Sequence, residues 1–325
     1  MTATKTATCW ALTDGGVGMV NQARGFAEAM GFAPVLKTVR PRWPWRALAP
    51  NLWLFPLAAP GPGSDRIAPP WPDVIVACGS KAIAVALAVK RRSGGRTRAV
   101  YVQRPTTGVG KFDVVVAPLH DGLEGPNVIP VRGAVNHVTR ERLDQAAIQW
   151  AGRLAHLPRP RVAVLIGGDN GVYRLTREFA ERFAGQLAQL ARRDGAGLMV
   201  TASRRTGPEA EAAIRAGLAG LPVFMWDGPS STGGENPYFG FLGLADAAIV
   251  TSDSVNMVSE ALATGKPVHV AMLEGGSPKF QRFHEDLVRQ GYTRPFQGRL
   301  ESWSYAPLDE TARAAAEARK RLGFA

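Results

Sequence analysis

Twice along the chain, a short apolar run ends in a glycine-rich turn that opens a helical stretch. Residues 7–13 read as a strand, DGGVGMV as the turn, and 21–30 has helical spacing. The device returns at 162–166 (VAVLI), followed by GGDNGVY and a long helix over 176–193. In the first half, 35–39, 73–78, 99–103 and 114–117 also read as strands, with a helix at 81–92. In the second half, 198–201, 223–226, 247–251 and 268–271 read as strands, with helices at 254–264, 278–290 and 310–321. Strands alternating with helices make βαβ units, and these make parallel sheets. The expected class is α/β. A helix at 143–157 and a linker LPRPR at 157–161 precede the restart. Two Rossmann-like domains facing one cleft are therefore expected, 1–157 and 158–325, and the last helix is able to cross back.

Length and composition agree with that layout. A chain of 325 residues suits two domains of roughly 100–200 residues each. With 46% hydrophobic and 20% charged residues, each half can bury a core, which excludes global disorder. The 36 glycines and 24 prolines follow no period, which excludes a collagen-like chain. The only two cysteines, Cys9 and Cys78, lie in apolar runs, so neither a disulfide framework nor a cysteine zinc site is expected, and the compartment reads as reducing. The N-terminal MTATKTATCWALTDGG reads as neither a signal peptide nor a transit peptide. No run reaches about 18 apolar residues, so no membrane-spanning helix is expected. The expected location is cytoplasmic, with peripheral contact to the inner membrane allowed.

The formal net charge is +12, unevenly spread. Residues 1–150 hold 18 Lys and Arg against 9 Asp and Glu, whereas 151–325 hold 21 against 18. A basic first half suits an anionic partner. Arg42, Trp43, Trp45 and Arg46 run on toward Trp53, mixed with Leu, Phe and Pro. This stretch reads as a membrane-interface patch or, equally, as a helix pair packed on the core. No nucleic-acid module is visible, so no nucleic-acid partner is expected.

Six places combine polar residues with a strand end or a helix start. The first loop offers Gly15, Gly16, Gly18 and Asn21 to an anion at a helix N-terminus. Gly167, Gly168 and Asn170 occupy the same place in the second half. Ser203, Arg204 and Arg205 follow a strand, and paired guanidinium groups suit a diphosphate. Ser252 and Ser254 precede a helix that Ser254 or Asp253 caps, and Glu260 is placed to accept bonds from ribose hydroxyls. Lys279 stands beside Gly275-Gly276, with Arg282 and His284 on the same helix; His284 taken alone reads as an exposed helix residue. The Trp/Arg stretch is the sixth. A plain turn is the alternative for the glycine loops and a solvated basic loop for the arginines, whereas capping alone explains the serines and not the rest. No D-x-D, H-E-x-x-H or G-x-S-x-G is present, so no metal and no resident cofactor are expected.

The segment SDSVNMVSEALATGKPV resembles the donor-side helix of GT-B glycosyltransferases, and GGDNG resembles their phosphate loop. In order along the chain, DGGVGMVNQARGFAEAMG, KFDVVVAPLHD, IGGDNG, TSDSVNMVSEAL and KFQRFHEDL resemble the mitochondrial-fission, elongated-mitochondria family of plants and proteobacteria. The resemblance implies a GT-B fold and a nucleotide-sugar donor, expected to be of UDP type. Glu260 would then bind ribose, Gly168, Ser203 and Arg204 would approach the diphosphate, and Ser254 would lie near the α-phosphate. The plant side of the family implies a protein partner in organelle fission. The peptidoglycan glycosyltransferase loop G-G-x-G-G-H is matched here without its histidine, which leaves Asp14 and His120 as candidate bases. Three functions follow in order: a metal-independent GT-B transferase acting on a lipid-linked or cell-envelope acceptor, a non-catalytic scaffold, and a nucleotide-sugar epimerase needing carboxylates such as Asp14, Asp169 and Glu260.

Overall fold

The computed structural model describes residues 7–232 and 234–324. The reading of the extreme N-terminus falls largely on residues 1–6 and lies outside the described residues. The chain divides into two units, Met1–His137 with Asp309–Ala325, and Val138–Leu308.

In the first unit the elements are β1 (Cys9–Thr13), α1 (Val17–Ala29), β2 (Val35–Thr38), β3 (Val74–Cys78), α2 (Ser80–Arg92), β4 (Arg98–Val102), β5 (Val114–Pro118) and β6 (Val128–Val131). They form one parallel sheet in the order β2-β1-β3-β4-β5-β6. β1 and β3 are buried along their whole length, which is why they read as unbroken apolar runs rather than alternating ones. Alternate residues still face opposite layers. Ala11, Val74 and Val76 meet Phe26 and Met30 on one side, while Leu12, Ile75 and Ala77 meet Ile83, Val85 and Val89 on the other.

The second unit holds α3 (Arg140–Ala151), β7 (Arg161–Ile166), β8 (Tyr173–Arg174), α4 (Arg177–Asp194), β9 (Gly197–Ala202), α5 (Pro208–Gly217), β10 (Val223–Trp226), α6 (Tyr238–Leu244), β11 (Ala247–Thr251), α7 (Val255–Leu262), β12 (Val268–Ala271), β13 (Glu274–Gly275), α8 (Pro278–Arg289) and β14 (Thr293–Pro295). Its six-stranded sheet runs β10-β9-β7-β11-β12-β14, all parallel, with β8 and β13 as a separate antiparallel ribbon. Val162, Val164 and Ile166 pack against Phe179, Phe183 and Leu187 of α4. Ala163 and Leu165 face Trp150, Phe241 and Leu262.

The dividing point differs from the expected 157/158. α3 belongs with the second unit because its Trp150, 1% exposed, packs beside Phe224 and Phe241. The approach is close: a Cβ on Gly240 would stand 2.6 Å from the Trp150 ring, and one on Gly243 2.6 Å from the Leu143 carbonyl. The last helix, α9 (Glu310–Leu322), completes the first unit. Its Ala314, Ala315 and Ala318 join the α1 layer. Glu310 accepts the Arg132 N–H at 2.8 Å and Thr311 accepts that of Asn136 at 2.9 Å. Among the described residues no helix is long and apolar enough to cross a membrane.

Two glycines give opposite expectations. Gly240→Val should push α6 off α3 and lower stability by about 1–3 kcal/mol. Gly185, in mid-α4 with open space around it, should gain about 0.5–1 kcal/mol on change to Ala. Urea unfolding midpoints of the two variants check both signs.

Candidate active site

In the second sheet the chain moves from β7 outward to β9 and β10, then returns to β11 on the other side of β7. At such a reversal the loops leaving the strand ends part, and ligands of open α/β sheets bind in the crevice they leave. The loops concerned are 167–171 after β7, 203–206 after β9, and 252–254 after β11.

Asp253 holds these loops together. Its side chain is wholly buried, and it accepts three donors. They are the Gly168 N–H at 2.9 Å, the Thr251 hydroxyl at 2.7 Å and the Arg205 guanidinium at 2.8 Å. The packing explains the glycines: a Cβ on Gly167 would stand 2.1 Å from an Asp253 oxygen, and one on Gly168 2.0 Å from the Arg205 carbonyl. The Ser203 hydroxyl donates to the Gly167 carbonyl at 2.7 Å, and Arg205 also donates to the Gly168 carbonyl at 3.1 Å. The Asn170 side chain accepts the N–H groups of Val172 and Tyr173, both at 2.9 Å.

The structure therefore brings Gly167, Gly168, Asn170, Ser203 and Arg205 together, but spends their polar groups on one another. The backbone N–H groups of 167, 168, 169 and 170 all have partners within the unit. Ser252, expected as a ligand contact, is fully buried, and its hydroxyl accepts the Leu273 N–H at 3.0 Å. His284 is 6% exposed rather than on the surface. Burial holds its ring pKa below the ordinary value, and Nε2–H donates to the Ser252 carbonyl at 2.9 Å.

What remains open to a ligand is smaller. α7 starts directly after the 252–254 loop with Ser254 as its cap, accepting the Met257 N–H at 3.3 Å. The start of a helix attracts anions. Arg204 is exposed and makes no ion pair among the described residues, and Lys279 lies half-buried in the first turn of α8. Glu260, further along α7, is 8% exposed and accepts the Tyr238 hydroxyl of α6 at 2.6 Å. Burial pushes its carboxyl up to about 7. Lys266 is structural: it donates to the carbonyls of Leu242 and Gly243 at 2.8 and 2.7 Å, and burial lowers it to about 8.

The first unit has its own reversal, between β1 and β3. Gly15 takes a φ of +87° just before α1, Asp14 accepts the Gly16 N–H at 3.3 Å, and Gly18 and Asn21 lie within α1. Asp14 leans over Gly79, where a Cβ would stand 2.9 Å from its carboxylate. Gln103, at the end of β4, has a φ of +87° and donates to the Gln22 side chain at 3.1 Å. His120 is buried after β5. β3 and β4 separate β1 from β5, three steps of about 4.8 Å, so Asp14 and His120 do not form a dyad. Burial raises the Cys9 thiol to about 12 and raises Cys78 too, which makes poor nucleophiles of both.

Asp253, Tyr238 and His284 carry more of this region than the sequence reading assigned them. For His284 the signal exists: Phe280, Phe283 and Leu287 mark one helix face, and His284 lies on it.

The sequence profile of the family described as "Mitochondrial fission ELM1" matches residues 17–322. The mitochondrial fission protein ELM1 of Arabidopsis thaliana is 31% identical over 278 residues, covering 77% of this chain and 64% of the plant protein, so the chain spans less than two thirds of that relative. An uncharacterised protein of Rickettsia prowazekii is 26% identical over 280 residues, covering 75% of this chain and 78% of its own. Among solved structures, Os79 of O. sativa in complex with UDP has a TM-score of 0.51 at 13% identity, covering 96% of this chain and 93% of its own. The spinosyn forosaminyltransferase SpnP has a TM-score of 0.50 at 14% identity, covering 98% and 95%. The fold is thus the two-Rossmann GT-B type.

Removing the Asp253 carboxylate strands the donors it accepts, so Asp253→Ala should lower stability by about 2–4 kcal/mol, while Arg204→Ala stays within about 0.5 kcal/mol. Thermal denaturation distinguishes them. Glu260 adds a pH signature. Its folded pKa lies above the unfolded value, so the native state holds the extra proton. Its contribution is complete below about pH 4.5 and is lost as pH rises through about 7. Wild type should lose about 2.5 kcal/mol relative to Glu260→Gln between pH 5 and 8. Parallel unfolding curves across that range would refute the buried acid.

Proposed function

Because the chain belongs to the mitochondrial fission ELM1 family and carries the GT-B fold, we propose that it is a metal-independent glycosyltransferase. It takes a sugar from a nucleoside diphosphate donor, of UDP type, and transfers it to a lipid-linked or cell-envelope acceptor. The observation that carries this reading is the β7–β11 reversal, where the exposed Arg204 and the start of α7 lie on loops fixed by Asp253. Two phosphates suit that pair of features. Os79, which shares the fold, is solved with UDP.

In this reaction the acceptor oxygen bonds to the anomeric carbon and the bond from that carbon to the diphosphate breaks. The leaving diphosphate keeps the electron pair. Its charge falls on the α7 N–H groups and Arg204 rather than on a metal, and the acceptor proton passes to a base. The donor is the substrate, so no resident cofactor is called for. Glu260 takes the ribose hydroxyls by releasing Tyr238, whose hydroxyl it accepts in the free protein.

The scaffold reading gains from one feature: the 167–170 N–H groups are all engaged within the fold. The epimerase reading loses ground, since Asp169 is tied to the Leu175 N–H at 2.7 Å.

A thermal-shift titration with nucleoside diphosphates and their sugars decides between them. A ligand at 100 times its Kd should add about 2.7 kcal/mol of stability. Arg204→Ala should weaken binding roughly tenfold, as expected for one lost charge-assisted bond. Affinity for a nucleotide sugar, whose phosphates do not titrate between pH 6 and 8, should rise with pH in wild type and stay flat in Glu260→Gln. No shift with any nucleotide leaves the scaffold.

A further inference from the structure

The whole formal excess of +12 lies in two stretches. Residues 29–64 and 74–112 together hold twelve Lys and Arg and no acid, while the rest of the chain balances 27 against 27. Both stretches fold into the first unit, where α2 packs against the turns at 50–58. Phe55, Pro56 and Leu57 share a hollow of about 600 Å³ with Arg91 and Arg92 of α2. Arg46, Arg91 and Arg92 are exposed and form no ion pair among the described residues.

The same segment carries a cluster of large exposed apolar side chains. Trp43 is 81% exposed, Leu54 75%, Phe55 79% and Leu52 57%. They do not hang on a loose loop. Trp53 is buried, with its indole N–H donating to the Leu48 carbonyl at 3.1 Å, and the Trp45 indole donates to the Leu54 carbonyl at 2.7 Å. Arg42 donates to the Ala58 carbonyl at 3.1 Å and lies over the Trp45 ring. Of the five residues first read as a contact patch, Trp53 is therefore an anchor in the core and Trp45 is half-buried. The exposed apolar points are Trp43, Leu52, Leu54 and Phe55.

Phe55 is the most telling. Its φ of +52° is a left-handed conformation that a bulky residue rarely adopts, and it holds an aromatic ring in water. Folding alone gains nothing from either.

We propose that the 43–55 segment, with the neighbouring basic face of α2, docks on an anionic lipid bilayer. Trp, Leu and Phe enter the acyl boundary while Arg46, Arg91 and Arg92 meet the headgroups. Leu52 and Leu54 offer no stacking face to a nucleobase, which turns the choice away from single-stranded nucleic acid. The inference does not depend on glycosyl transfer.

Cosedimentation of the full chain with vesicles tests it. Phosphatidylcholine vesicles containing phosphatidylglycerol should bind at least about tenfold more tightly than phosphatidylcholine alone, and salt should weaken the binding. Two double variants should each lower it by about tenfold or more. One is Arg91→Gln with Arg92→Gln. The other is Leu54→Ser with Phe55→Gly, in which glycine suits the left-handed backbone and so keeps the fold. Thermal midpoints of both should match wild type. Equal binding with and without the anionic lipid, or no response to either double variant, overturns the proposal. So does retention on immobilised polyglutamate by a chain that ignores vesicles, which would point to an acidic protein instead. Vesicle binding without any nucleotide response keeps this inference and removes the transferase.

Discussion

A carboxylate buried from water costs free energy in a folded chain unless donors surround it. Asp253 meets that demand with a guanidinium, a hydroxyl and a backbone N–H drawn from three separate strand ends. The loops after β7, β9 and β11 are thus one object. Gly167 and Gly168 follow from it, because no side chain fits where the loops touch. So does the placement of α7, whose cap is the very next residue. The region is organised before any ligand arrives, and the groups left to meet one are few.

The strands were legible because both faces of the two sheets are covered, so buried strands appear as apolar runs in the bare sequence. The dividing point was not. α3 is joined to α6 by contacts through Gly240 and Gly243, far along the chain, and a glycine in a helix gives no sign that another helix rests on it. The two-residue strands β8 and β13 are too short to show a period. At the site, glycines and hydroxyls at strand ends marked the right loops, yet the type of residue does not say whether its polar atoms face a ligand or each other. Ser252 and Ser254 illustrate the limit, one sealed in the interior and the other a helix cap. Tryptophans in one run likewise had opposite fates, Trp53 within the core and Trp43 in solvent.

Among the described residues, the non-glycine positions with positive φ are Phe55 and Gln103. Both lie in the first unit. Gln103 stands at the end of β4, its amide joined to Gln22 of α1. Phe55 stands at the apolar tip. Among the described residues the second unit keeps its left-handed turns to glycines and ties its loops through the buried Asp253 carboxylate instead. The two halves share an architecture and differ in how they hold their loop ends.

The first unit is built from the beginning of the chain and from α9 at 310–322. During synthesis the strands that need α9 leave the ribosome long before it does. Until then the surface that Ala314, Ala315 and Ala318 cover stays wet, and the Arg132 and Asn136 N–H groups lack Glu310 and Thr311. The second unit, contiguous from 138 to 308, has all its parts earlier. The half that starts first is therefore finished last.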